Sequence, residues 1–216
     1  MGSTLVNAVF SSPAFAATSD VLMQLDSHGA DVATLKSDLA VLGYYPKSVS
    51  ITEHFGPVTS HAVIAFKTDH RDGSGDAVTA QLFSNIQAAA ATARNEALGQ
   101  RIVEKAKTYL GTPYVWGGTS PSGFDCSGFV QYVFKEFGIA LPRIAAAQAT
   151  VGIRVKKADL QLGDLVFFDT MGGISHVGIY IGNGNFIDEA STKVEIDSIN
   201  NPYYWKSRYV TARNVL

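Results

Sequence analysis

The chain is nearly without cysteine: Cys126 is the only one in 216 residues. One thiol cannot close an intramolecular disulfide, and a cysteine-rich zinc site is excluded with it. A lone cysteine is either a small buried hydrophobe or a reactive thiol, and its surroundings must decide. Long apolar runs are missing too. No stretch reaches the roughly 18–20 apolar residues that span a bilayer, so no membrane span and a soluble mature protein are expected. A surplus of one charge is also absent. The formal net charge is −2, with 5 basic against 9 acidic side chains over residues 1–99 and 12 against 10 over residues 100–216. Such a balance gives no general attraction for nucleic acid, so recognition must lie in shaped sites. Nor does the sequence gather a cluster of metal ligands, and no metal or cofactor is expected.

What is present is an ordinary globular composition, 46% hydrophobic and 17% charged. Residues 1–19 read as the remnant of an export signal. Leu5 to Ala17 is apolar and ends in the small residues around Ala14-Phe15-Ala16, although no basic region precedes it. A secreted protein is therefore expected. Residues 20–87 read as a small helical unit. Val32, Leu35, Leu39 and Leu42 recur at helical spacing before Gly43. Pro57 opens a second helix carrying Ala62, Val63 and Phe66 on its inner face, and Ala77 to Gln87 forms a third. Residues 88–99 are Ala-rich without large apolar side chains, as in a helical linker with a boundary at Gly99.

Residues 100–216 change character. A helix face runs from Ile102 to Leu110 and ends at Gly111 and Pro113, and a second helix spans Cys126 to Phe137. Strand patterns then follow at 164–169, 175–182, 185–190, 194–199 and 208–215. Helices first and an antiparallel sheet after them make an α+β fold.

Cys126 stands at a helix N-terminus, where unpaired N–H groups and the helix dipole favour thiolate, the nucleophilic form. His176 is the one histidine of residues 100–216, at the start of a strand, so the Cys–His pair has no internal competitor. Asp188 lies twelve residues on, across an Asn183-Gly184 hairpin turn, and can orient the imidazole. In that reading Glu189 points to the opposite face. Packing alone explains a lone cysteine, a backbone-satisfied histidine or an exposed strand carboxylate; the three together favour nucleophilic catalysis.

Two resemblances sharpen this. Val32…Leu42-Gly43-Tyr44 followed by Phe55-Gly56-Pro57-Val58-Thr59…Ala62-Val63…Phe66 resembles the three-helix peptidoglycan-binding domain of wall hydrolases, with Lys67 where glutamine is usual. The stretches Tyr109 to Gly118, Phe124 to Val130, Gly163 to Phe168 and His176 to Tyr180 resemble the NlpC family of papain-like wall endopeptidases, over essentially all of residues 100–216. That resemblance implies a papain-like catalytic domain cleaving peptidoglycan stem peptides, between γ-D-glutamate and the following diamino acid. Cys126 matches the nucleophile and His176 the base. Asp188 takes a third position usually held by His, Asn or Gln. The resemblance also implies that Tyr114 lines the site near the reacting carbonyl. Asp125 and Ser127 flank the nucleophile, where the family recognises the free amine and polar groups of the peptide. The implied partners are stem peptides and wall glycan. Poly-γ-glutamate or another peptide amide as substrate, or a silent wall-binding protein, remain alternatives at this point.

Overall fold

The computed structural model describes residues 21–216, so the expected export segment lies outside them. The chain forms two compact units, one ending at Ala90 and the other Ala91–Leu216.

In the first unit a short strand, β1 (Val21–Met23), precedes α1 (Ala30–Val41) and α2 (Pro57–His70). Pro57 occupies the first turn of α2, where its missing N–H is not needed. β2 (Val78–Thr79) pairs antiparallel with β1 across the two intervening helices, a pairing that the sequence pattern did not suggest. The chain then enters α3 (Ala80–Lys107). Val32, Leu35, Leu39, Phe55, Val63 and Ile86 are 0–1% exposed and form one core. Lys67 is buried beside that core, and its ammonium donates to the carbonyls of Ser74 (3.0 Å) and Ala77 (3.3 Å). It thereby ties down the Asp72–Ala77 turn.

α3 runs unbroken through 28 residues, so the helix expected over 77–87, the Ala-rich segment and the helix expected from Ile102 are one element. High alanine propensity carries the helix across, and a single internal glycine costs it only about 1 kcal/mol. Gly99 does not end the helix. A Cβ there would stand 2.1 Å from the Leu162 carbonyl oxygen, so glycine lets the segment around Leu162 pack on the helix.

The second unit begins with the end of α3. A small hairpin, β3 (Thr119–Ser120) and β4 (Gly123–Phe124), leads into α4 (Cys126–Lys135). α5 (Ala145–Gln148), β5 (Ile153–Val155) and a 3-10 turn at Lys157–Asp159 follow. Then come β6 (Leu165–Asp169), β7 (Ile174–Gly182), β8 (Asn185–Glu189), β9 (Val194–Ser198), α6 (Trp205–Arg208) and β10 (Tyr209–Asn214). Six strands make one antiparallel sheet in the order β5-β10-β6-β7-β8-β9. The unit is α+β, as its pattern predicts.

Strand alternation divides the sheet into two apolar faces. Leu165, Phe167, Val177, Ile179 and Ile187 pack with Phe129, Val130, Val133 and Phe134 of α4 in the larger core. Each such side chain contributes about 1.5–3 kcal/mol when fully removed from water. Val166, Phe168, Phe186 and Ala212 face the other way, against Ile199 and Trp205. The first face fixes α4 on the sheet, and so determines where Cys126 stands. His176 belongs to the second face, near the start of β7.

Candidate active site

Cys126 is the first residue of α4, and Asp125 before it is the N-cap, its Oδ1 accepting from Gly128 N–H at 2.7 Å. The thiol is half-buried and reaches the Ser175 carbonyl at 3.9 Å, next to His176. The imidazole of His176 is buried, with Nε2 2.7 Å from Oδ2 of Asp188. That bond leaves Nδ1 as the nitrogen available to the thiol. Trp205 covers the ring with centroids 4.9 Å apart, shielding the His176–Asp188 bond from water.

Local backbone chemistry sets this geometry. Asn183 (φ 53°) and Gly184 (φ 75°) both take positive φ, as a type I′ hairpin turn requires. Gly182 pairs with Asn185, but the register shifts before Tyr180, which pairs with Phe186. Because of this bulge Asp188 stands opposite Gly178, on the same face as His176 two residues away. Gly178 then leaves the diagonal open: a Cβ there would lie 2.5 Å from Cδ2 of Phe186 and 3.0 Å from Cβ of Asp188. Phe186 cannot give way, being fully buried against Phe168 and Trp205. Gly178→Ala is therefore expected to cost about 1–3 kcal/mol of stability from overpacking. A denaturation midpoint equal to the parent's would contradict this.

The pair is strongly coupled. Burial by itself lowers the His176 pKa, but the bonds to Asp188 and Cys126 outweigh it and raise the imidazole to about 9. Burial raises Asp188 to about 6, against the opposing pull of His176. The raised imidazole favours its charged form beside the Asp188 carboxylate. Tyr114 lines the same cavity, and its phenol is pushed up by burial and then by the negative charges of Cys126, Asp125 and Glu189. It stays a hydrogen-bond donor.

The cavity measures about 910 Å³ and opens over Cys126 and His176. Tyr114, Asp125, Cys126, Ser127 and His176 all line it, while Asp188 lies behind His176, fully buried. Asp125 and Ser127 are held together by a residue the sequence reading passed over. Arg143 donates from Nη1 to Asp125 Oδ1 (2.9 Å) and Ser127 Oγ (3.0 Å), and from Nη2 to Asp125 Oδ2. Burial pushes the Asp125 carboxyl up, but Arg143 and the Gly128 and Gly117 N–H groups hold it below the ordinary value. Gln148, fully buried, donates to the carbonyls of Ser127 (3.0 Å) and Pro142 (2.8 Å) and fixes this loop to α4. A lone arginine and glutamine within the otherwise apolar stretch Ile139 to Ala149 were the available signal, since polar side chains in such surroundings need buried partners. Glu189 also lines the cavity, from the face of β8 opposite Asp188.

The sequence model of the NlpC/P60 family matches residues 111–214, and that of a peptidoglycan binding domain matches residues 28–71. The chain belongs to the NlpC/P60 family. Over 99 residues it is 48% identical to the probable endopeptidase p60 of Listeria seeligeri, a match taking in 46% of this chain and 19% of that protein. It is 43% identical over 120 residues to a gamma-D-glutamyl-L-lysine dipeptidyl-peptidase of Bacillus cereus, covering 53% of this chain and 36% of the relative. A crystal structure of an NlpC/P60 family protein from Bacillus cereus aligns at 41% identity and a TM-score of 0.52, over 55% of this chain and 40% of that one. This NlpC/P60 chain thus spans about a fifth to a little over a third of the length of these curated relatives. Among its described residues no helix is long and apolar enough to cross a membrane, and no group of three or more His, Cys, Asp or Glu side chains is placed to hold a metal ion.

Proposed function

We propose that this chain is a secreted cysteine peptidase of the bacterial cell wall that cuts peptidoglycan stem peptides at the γ-D-glutamyl–diamino acid bond. One observation carries the reading: a thiol at a helix N-terminus beside a buried His176–Asp188 pair, on the floor of an open cavity. Cys126 as thiolate attacks the scissile carbonyl carbon. The oxyanion that forms is stabilised by N–H groups of the first turn of α4 and by the Tyr114 hydroxyl. His176, already protonated, gives its proton to the departing amine of the diamino acid, leaving a thioester on Cys126. Water, deprotonated by His176, then releases the γ-D-glutamyl product. Asp188 holds the ring so that Nδ1 faces the sulfur, and Asp125, Ser127 and Arg143 build the wall against which the acyl side of the peptide lies. Residues 28–71 dock the enzyme on wall glycan and raise the local substrate concentration.

The bond is named by the B. cereus relative and by the family resemblance, and product analysis tests it. Purified sacculi treated with the full chain should keep stumps that end in D-glutamate on the glycan and release peptides with a new amine on the diamino acid, both read by mass spectrometry after glycan digestion. Cuts at other peptide bonds would overturn the assignment of the bond. Intact sacculi alongside digested poly-γ-glutamate would move the enzyme to a different substrate.

A further inference from the structure

The family resemblance gives the recognition of a free amine to Asp125 and Ser127, yet the structure leaves Asp125 no capacity for it. Oδ1 of Asp125 already accepts from Gly128 N–H, Arg143 Nη1 and Ser127 Oγ, and Oδ2 from Gly117 N–H and Arg143 Nη2. These five bonds fill the acceptor sites of a carboxylate, and the guanidinium matches its charge.

Glu189 is the reverse case. It is 0% exposed, it forms part of the wall of the same cavity, and neither carboxyl oxygen has a hydrogen-bond partner. Buried side-chain polar atoms are nearly always hydrogen-bonded, so two unpartnered oxygens on one cavity-lining carboxyl mark a place that a ligand completes. The charge around it points to the sign of that ligand. Glu195 and Asp197 line the same cavity, and its two cationic side chains, Arg143 and His176, are each engaged by another carboxylate, Asp125 and Asp188. The cavity lining thus holds more carboxylates than cations and leaves no cationic side chain free to pair with Glu189.

We infer that Glu189 receives a primary ammonium group of the bound peptide, the role that the resemblance assigns to Asp125. This rests on the peptide-cleaving reading above and specifies how the peptide is recognised. A stem peptide offers two such groups, the α-amine at its free N-terminus and the side-chain amine of the diamino acid. Either fits the chemistry, an ammonium donating to both Glu189 oxygens in a site screened from water.

Binding to the full chain carrying Cys126→Ala separates the possibilities, because nothing is turned over. The probes are the tripeptide L-Ala-γ-D-Glu-L-Lys, its Nα-acetyl form and its Nε-acetyl form, titrated by calorimetry. The free tripeptide should bind roughly tenfold or more tightly than one acetylated form, and the form that loses affinity identifies the amine. Adding Glu189→Gln, which keeps the shape and removes the charge, should level the two. Equal affinity for all three peptides, or a preference that survives Glu189→Gln, would overturn the role of Glu189 while leaving the peptidase reading in place. Failure of all three to bind would remove the peptide reading, and this inference with it.

Discussion

Cys126→Ala is expected to lower the rate of stem-peptide hydrolysis by about four orders of magnitude or more, since no other nucleophile replaces the thiolate. The fold should be unaffected. Only a sulfur atom is lost, from a half-buried side chain that lines the cavity, and stability should stay within about 1 kcal/mol of the parent. Binding to insoluble wall should also persist, because it is assigned to residues 28–71. Rates on one soluble peptide, a denaturation curve and a wall pull-down of the same preparation check all three. EDTA should leave the parent rate unchanged, because every proposed step runs through side chains of the chain. A Cys126→Ala protein that still cuts, or activity lost to the chelator and restored by metal, would end the cysteine mechanism.

The second large effect concerns Asp188. Its carboxylate raises the buried imidazole to about 9 and is itself present above about pH 6. Activity should therefore fall on the acid side as Asp188 takes up a proton near 6. On the alkaline side it should fall as His176 loses its proton near 9, since a neutral imidazole can no longer protonate the departing amine. Asp188→Asn keeps a group that can orient the ring but removes the charge. Burial then acts on His176 with less opposition, and the alkaline limb should move to lower pH by about one unit or more, with activity still measurable. Asp188→Ala removes orientation as well, and the rate should drop by roughly a hundredfold or more. Steady-state rates across pH for the parent and both variants decide this. Parent-like profiles in Asp188→Ala would make Asp188 a bystander.

Much of this site could be read before folding. Helical spacing located α1, α2 and α4, and the thiol followed by a strong apolar face placed Cys126 at a helix start. Period-two alternation found five strands of the large sheet. The short elements were not legible: β1 with β2, β3 with β4, and β5 are two or three residues long, too brief for any period. The continuity of α3 was hidden for another reason. Glycine and alanine read locally as a joint, whereas Gly99 is held inside the helix by the chain that packs on it. Arg143 and Gln148 escaped notice, and Glu189 was read only as the carboxylate on the far face, because burial gives them their meaning and burial belongs to the folded chain.

The sequence by itself singled out the candidate catalytic groups. One cysteine, one histidine in the second unit and a carboxylate beyond an Asn-Gly turn left few other assignments, because thiolate catalysis needs those groups and the chain holds few of them. Asp188 could be preferred to Glu189 from the sequence, but the register that brings it to His176 was decided only by the tertiary structure. Continued without interruption from the Gly182–Asn185 pair, the hairpin would set Glu189 against Gly178 and turn Asp188 toward α4. The register shift between Tyr180 and Gly182 moves the pairing by one residue. In a strand a slip of one residue exchanges the two faces. Asp188 thus comes to His176, and Glu189 is left on the opposite face, buried and without a hydrogen-bond partner.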